Sequence, residues 1–228
     1  MASLAAQLIA VSVAVLQRQM IHNQAVASTT WNTSYDYIVI GGGTAGCTVA
    51  SRLTEDNDSS VLLLEAGGHG SVISDMPGTA LIQTNPREND WGHLTTPQAN
   101  VAYAYRNRQI AYPHGRVLGG TSVINFMIYN RGNRRSFDNW ATNYGMTDWS
   151  YNDILPYFRR SEHLFNTSYF GDTINYHGLS GPIDVSLVPN ADPFHRKFIQ
   201  GWVNEGFSEI DLNGPEQVGT GKFWIYYF

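Results

Sequence analysis

Tyr35-Asp36-Tyr37-Ile38-Val39-Ile40-Gly41-Gly42-Gly43-Thr44-Ala45-Gly46 is an apolar run that feeds directly into Gly-x-Gly-x-x-Gly, and Glu65 stands nineteen residues beyond the last glycine. This combination predicts an adenine-dinucleotide cradle on a Rossmann-like βαβ core, and so an α/β fold class. Gly41 lets the chain turn tightly off the strand, Gly43 lets its backbone approach a pyrophosphate, and Gly46 lets the following helix pack on the sheet. A helix starting near Thr44 points N–H groups and the positive end of its dipole at the phosphates. Ser60-Val61-Leu62-Leu63-Leu64-Glu65 predicts a second, buried parallel strand, whose terminal carboxylate can accept hydrogen bonds from two ribose hydroxyls.

The bulk properties exclude more than they assign. With 228 residues, 43% of them hydrophobic and 13% aromatic, the chain has ample material for a core. Fourteen basic against nineteen acidic residues, with no long run of either sign, argue against a nucleic-acid partner. Cys47 is the only cysteine, which excludes an intrachain disulfide and a cysteine-based metal site; it reads as a small packing residue. His163, His177 and His195 show no metal-like spacing and read as structural or surface groups, so no metal site is predicted. Leu4 to Leu16 is almost wholly apolar and is followed by Ala25-Val26-Ala27, so residues 1–27 read as a secretory leader. Thirteen residues are fewer than the roughly 20 a membrane-spanning helix needs, so no membrane span is expected. The sequons at Asn32, Asn57 and Asn166 are compatible with an extracellular location.

After Glu65 the chain changes character. Residues 66–100 are rich in Gly, Pro, Asn and Thr and read as a long irregular connection of the kind that serves a site. Val101–Tyr105 and Gln109–Tyr112 read as two short strands of a hairpin around Arg106-Asn107-Arg108. The second chemical centre is Pro113-His114-Gly115-Arg116-Val117-Leu118-Gly119-Gly120-Thr121-Ser122-Val123-Ile124-Asn125-Phe126-Met127. Gly119 and Gly120 allow close backbone approach, and Thr121 and Ser122 look like another helix start whose N–H groups could take anionic oxygens. Read alone, Gly-Gly-Thr-Ser is also an ordinary helix cap.

Taken with the first glycine turn, Gly115-Arg116-x-Leu118-Gly119-Gly120-Thr121-Ser122-x-Ile124-Asn125, followed by Tyr129, Arg131 and Asp138-Asn139-Trp140, resembles the first signature of the glucose–methanol–choline (GMC) flavin oxidoreductases. Leu64-Glu65-Ala66-Gly67-Gly68, Asn89-Asp90-Trp91 and Thr96-Pro97-Gln98 are similar to that family too, over about Tyr35 to Gly221. The resemblance implies FAD in an extended pose, with Gly41, Gly43, Thr44, Ala45 and Gly46 at the pyrophosphate and Glu65 at the adenosine ribose. It implies Gly119, Gly120, Thr121, Ser122 and Asn125 near the pyrophosphate and flavin, and Phe126, Met127 and Ile128 along the isoalloxazine ring. Some relatives attach flavin to a histidine upstream of the glycine pair; here Tyr112 falls there and His114 two residues on, so non-covalent FAD is expected.

The implied activity is oxidation of a CH–OH donor, an alcohol or sugar, with hydride passing to the flavin and electrons to oxygen or a quinone-type acceptor. Members of the family are much longer and carry their catalytic histidine near a C-terminus that has no counterpart in this sequence. The catalytic residue is therefore left unassigned, and an N-terminal fragment is expected, its closing Phe223–Phe228 unlike the family's continuation. An inactive FAD-binding fragment and a hydroxynitrile lyase of the same family are the alternatives, and a simpler NAD-dependent dehydrogenase is disfavoured by the Thr121 signature. The implied organisation is residues 35–150 as the FAD-binding part and 151–228 as the start of an α+β substrate domain.

Three helices are expected beyond the signature. Arg134–Tyr144 has helical periodicity, Ser150-Tyr151-Asn152-Asp153 reads as a capping box, and Asp192-Pro193 reads as a cap with proline at the first helical position. Phe194, Phe198, Ile199, Trp202 and Val203 recur at helical spacing up to Gly206 and read as core.

Overall fold

A computed structural model describes residues 12–13, 28, 30–80, 89–165, 171–188, 192–222 and 224–227. Apart from Ser12 and Val13, the apolar leader lies outside the described residues, as do the Asn166 sequon, Phe223 and Phe228. The chain divides into two compact units, residues 1–126 and 127–228.

In the first unit β1 (Tyr37–Ile40) and β2 (Val61–Leu64) pair in parallel, with Tyr37 opposite Val61 and Ile40 opposite Leu64. The crossover is α1 (Thr44–Leu53), as the glycine turn demands. Asp36 closes the starting end of the pair by accepting hydrogen bonds from the Ser60 amide at 2.8 Å and hydroxyl at 2.6 Å. The expected burial of β2 is corrected. Its first three residues are half-buried and Leu64 is exposed, while on β1 Ile38 and Ile40 are 59% and 84% exposed. All-apolar parallel strands need helices on both faces, and α1 packs on this pair from one.

The expected hairpin is also corrected. The strand β4 (Ala111–Tyr112) pairs antiparallel with β3 (His93–Leu94), not with Val101–Tyr105. Thr95 N donating to Ile110 O and Gln98 N donating to Arg108 O, both at 3.0 Å, prolong this pairing toward the loop. Ala102 at φ +62° breaks the extended run that the valine and tyrosines suggested, because a left-handed residue cannot continue a strand.

The second unit contains α2 (Arg134–Asn143), α3 (Tyr151–Ser161), β5 (Glu162–Leu164), β6 (Ile183–Leu187), α4 (Pro193–Asn204) and β7 (Trp224–Tyr227). Its sheet has the order β5-β6-β7, the first pairing parallel and the second antiparallel. Leu164, Val185 and Trp224 form the core, with Tyr129, Ile174, Ile183, Leu187 and Tyr226 packed around them. Within the closing aromatic stretch, Trp224–Tyr227 is thus a strand, and Trp224 is 1% exposed.

The helix starts are as the sequence predicts. Asp153 N donates to Ser150 Oγ and Ser150 N donates back to Asp153 Oδ2, so each residue's side chain receives the other's amide at the helix start. Asp192 Oδ1 accepts from Phe194 N at 2.7 Å, and Gly206 follows α4 at φ +95°. The expectation that the α4 aromatics form core is corrected: Ile199 is buried, whereas Phe194 and Phe198 are 70% and 56% exposed. Phe194, Phe198 and Trp202 recur every fourth residue and share one face, and that face points outward, with Phe198 and Trp202 edge to face at 6.1 Å.

Replacing Ser150 by Ala removes one half of the capping box and should lower stability by about 1 kcal/mol. Denaturant unfolding followed by far-ultraviolet circular dichroism reads the shift in midpoint.

Candidate dinucleotide site and a buried charge ring

The β1–α1 turn builds the first site from backbone. Gly41 sits at φ +95°, a conformation other residues avoid, and a Cβ on Gly46 would overlap the Gly41 carbonyl oxygen. The first intrahelical bond of α1 is Cys47 N to Gly43 O, so the N–H groups of Thr44, Ala45 and Gly46 have no acceptor within the helix. Gly43 has no side chain with which to cap them, and the first turn holds no acid. An uncapped N-terminus with its positive dipole end at a glycine turn suits a diphosphate, so these residues fit the group predicted for them.

The loop carrying the second signature lies directly on this turn. Gly119 N donates to Gly42 O at 2.7 Å, and a Cβ on Gly120 would stand 2.7 Å from the Gly43 Cα. Leu118 N donates to Gly68 O at 2.8 Å, and Asn89 O accepts from Arg116 N at the same distance. Asp90, buried, accepts from His114 N at 2.8 Å. Glu65 at the end of β2 holds the loop ends together, with Oε2 accepting from Gly42 N and Oε1 from Gly67 N, each at 2.7 Å. Its carboxylate keeps lone pairs for further donors after both contacts. Cys47 Sγ lies 3.1 Å from Gly42 O, consistent with a packing role inside the turn.

Gly41, Gly43, Thr44, Ala45, Gly46, Glu65, Gly119 and Gly120 are therefore brought together. One expectation around them is corrected. Residues Gly120–Val123 form a single 3-10 turn rather than the start of a helix, because Gly119 and Gly120 both take positive φ and turn the chain too sharply for α-helix. The hydroxyls of Thr121 and Ser122 are engaged within the loop: Thr121 Oγ1 accepts from Gly115 N at 3.1 Å and Ser122 Oγ donates to Gly119 O at 2.7 Å. Asn125 is half-buried, and Phe126 is exposed at the end of the unit. Met127 and Ile128 open the second unit. Met127 holds φ +57°, and Ile128 is exposed while bridging to Ile225.

The second unit contains a feature that sequence reasoning missed. Glu162, fully buried, receives the Arg131 guanidinium on Oε2 and faces His177 Nδ1 at 2.8 Å with Oε1. His177 Nε2 lies 2.7 Å from Asp211 Oδ2, and Asp211 Oδ1 accepts from Asn213 N at 2.9 Å. Asn213 Oδ1 accepts from Arg131 N at 3.0 Å, which closes the ring of contacts on the residue where it began. Both imidazole nitrogens face carboxylate oxygens that only accept, so His177 is protonated, and two positive charges balance two negative ones. Burial opposes the charge on His177, but the hydrogen bonds to Asp211 and Glu162 outweigh it and raise its pKa above the ordinary histidine value. Burial likewise opposes the charge on Asp211, and the hydrogen bonds from His177 and Asn213 N more than offset it and lower its pKa. Arg131 was visible as a signature residue, but its partners lie in three other segments with no spacing rule connecting them.

Comparison with known proteins places the chain. Residues 35–225 match the family model for GMC oxidoreductase, and the chain belongs to that family. An oxygen-dependent choline dehydrogenase of Pectobacterium carotovorum subsp. carotovorum is 42% identical over 193 residues, covering 82% of this chain and 33% of that protein. One from Pseudomonas syringae pv. syringae is 41% identical over 198 residues, covering 84% and 33%. Among solved structures, pyridoxine 4-oxidase from Mesorbium loti aligns with a TM-score of 0.73 and 31% identity over 84% of this chain and 36% of that one. An FAD-dependent oxidoreductase from Chaetomium thermophilum aligns with a TM-score of 0.68 and 32% identity over 85% and 33%. The chain spans about a third of the length of the curated relatives it matches. The match runs to Ile225, so the family pattern extends past Gly221, where the sequence reading ended it, into the first two residues of β7. Among the described residues, no helix is long and apolar enough to cross a membrane.

The ring predicts a pH profile. His177 has a raised folded pKa, so its contribution is complete below the ordinary value of 6.5 and is lost as pH rises through the raised one. Asp211 has a lowered pKa, so its contribution is complete above 3.8 and is lost as pH falls through the lowered one. Thermal melting should show this contribution at its fullest between those two values. In Asp211→Asn the alkaline decline should begin at lower pH, because His177 loses one of its two carboxylates.

Proposed function

We propose that this chain is the FAD-holding portion of an oxidoreductase acting on CH–OH donors. The observation that carries the reading is the uncapped N-terminus of α1 behind Gly43, pinned by Glu65 on one side and overlaid by Gly119 and Gly120 on the other. Membership of the GMC family supports FAD over a nicotinamide, and the names of the relatives support a small alcohol-type donor with oxygen as one electron acceptor. A quinone-type acceptor serves the same chemistry. Bound FAD supplies the hydride acceptor. Thr44, Ala45 and Gly46 hold its diphosphate by their amides, and Glu65 takes the adenosine ribose hydroxyls on the lone pairs its own backbone contacts leave open.

By resemblance, Gly119, Gly120, Thr121, Ser122 and Asn125 line the cofactor through their backbone, and Phe126, Met127 and Ile128 lie along the flavin ring. We read residues 35–150 as the FAD-binding part and 151–228 as the start of a substrate domain. FAD is non-covalent in this reading: Tyr112 occupies the attachment position, and the His114 ring rests against it at 4.7 Å. A formate oxidase from Aspergillus oryzae RIB40 aligned with this chain has been studied for FAD modification, so the state of the flavin needs its own measurement. Acid precipitation of the yellow protein should leave the flavin in the supernatant. Secretion, with residues 1–27 as the leader, completes the proposal and is tested by the N-terminal sequence of the mature protein.

Gly43→Ala separates cofactor binding from folding. A Cβ there meets nothing nearer than the Gly120 Cα at 3.8 Å, and φ is an ordinary −84°, so the unfolding midpoint should stay within error of the parent. The methyl group would occupy the space of the diphosphate, and FAD affinity, read by flavin fluorescence quenching, should fall by about tenfold or more. Unchanged affinity would contradict the site.

A further inference from the structure

The segment Met127–Arg131 is gripped on alternate residues by the second unit. Tyr129 N donates to Trp224 O at 2.8 Å, Tyr129 O accepts from Asn213 Nδ2 at 3.2 Å, and Arg131 N donates to Asn213 Oδ1. Tyr129 and Arg131 thus turn inward, Arg131 being 4% exposed, while Ile128 and Asn130, each preceding one of them, are exposed. Asn213, 1% exposed, is held in turn by Asp211, and Asp211 by His177. Met127, whose carbonyl accepts from Tyr226 N at 3.2 Å, is kept left-handed, a state costly for a non-glycine residue unless its surroundings over-determine it.

We infer that the Arg131–Glu162–His177–Asp211–Asn213 ring is a positioning device that sets the backbone of Met127–Arg131 and so presents Ile128 outward in one fixed orientation. The part of this that concerns flavin rests on the proposed assignment of Met127 and Ile128 to the isoalloxazine ring. Packing alone does not need such a ring, since buried ion pairs replaced by apolar groups of the same volume often leave stability unchanged or higher. What the charges add is direction: each partner accepts one geometry, and the geometry ends on the Tyr129 carbonyl, which accepts from Asn213 Nδ2, and on the Arg131 N–H, which donates to Asn213 Oδ1.

The test is Asp211→Asn in the whole chain, with amide hydrogen exchange measured residue by residue. Exchange at Tyr129 and Arg131 should rise about tenfold or more relative to the β6 amides of Ile183–Leu187, as expected when one hydrogen bond of a network is lost. FAD affinity should fall in parallel, and the visible absorption envelope of the remaining bound flavin should shift. Equal acceleration throughout the second unit, or none at Tyr129 and Arg131, would overturn the positioning role.

Selective loosening with unchanged flavin affinity and spectrum would overturn its link to the cofactor. Failure of the parent chain to take up FAD would count against the proposed function, whereas the exchange data would still decide what the ring does. Should the variant not fold, the parent serves. Raising the pH removes the His177 proton, with Glu162, Asp211, Arg131, Arg159 and Tyr129 as the ionisable groups around it. The Tyr129 and Arg131 amides should then loosen ahead of β6, and loosening in step with β6 would refute the inference.

Discussion

Four charged side chains share the buried interior of the second unit, and its architecture depends on keeping each beside its counterpart. Arg131 comes from the segment after Met127, Glu162 from β5, His177 from the chain before β6, and Asp211 from the loop after α4. Removing one partner leaves another charge buried and unpaired, a loss on the order of 3–5 kcal/mol. The same ring seats Gly178, whose amide donates to Glu162 at 3.0 Å. A Cβ on Gly178 would overlap the Arg159 carbonyl oxygen, so α3 and the following loop approach as closely as backbones can.

In the first unit the corresponding constraint is the absence of side chains. Gly43 and Gly120 let two loops from distant parts of the sequence lie backbone to backbone, and Gly67 and Gly115 allow the same against Arg116 and Gly120. Glu65 adds a polar tie, accepting from Gly42 N and Gly67 N. A cradle made this way offers amides rather than side-chain charges, which suits a diphosphate that must be held and oriented without being permanently neutralised.

Much of this was legible beforehand because it is local. Gly-x-Gly-x-x-Gly after an apolar run prescribes a turn and a helix start within a dozen residues. The Ser150–Asp153 box and the Asp192-Pro193 cap prescribe helix starts within four, and all of these are where the sequence places them. The failures are equally instructive. Val101–Tyr105 has the composition of a strand, yet the partner of β4 lies upstream at His93–Leu94. Periodicity put Phe194, Phe198 and Trp202 on one face, but did not say that the face would point outward.

The sequence by itself determined the family, the βαβ start of the cofactor site and the helix boundaries, because each follows from conformational preferences acting over a few residues. Only the tertiary structure decided that the Gly119–Gly120 loop lies on Gly42 and Gly43, that Trp224–Tyr227 completes a sheet, and that His177 is a buried cation. Those outcomes depend on which distant segments share one low-dielectric interior, where a charge must find its partner and a backbone its glycine. No spacing along the chain encodes that.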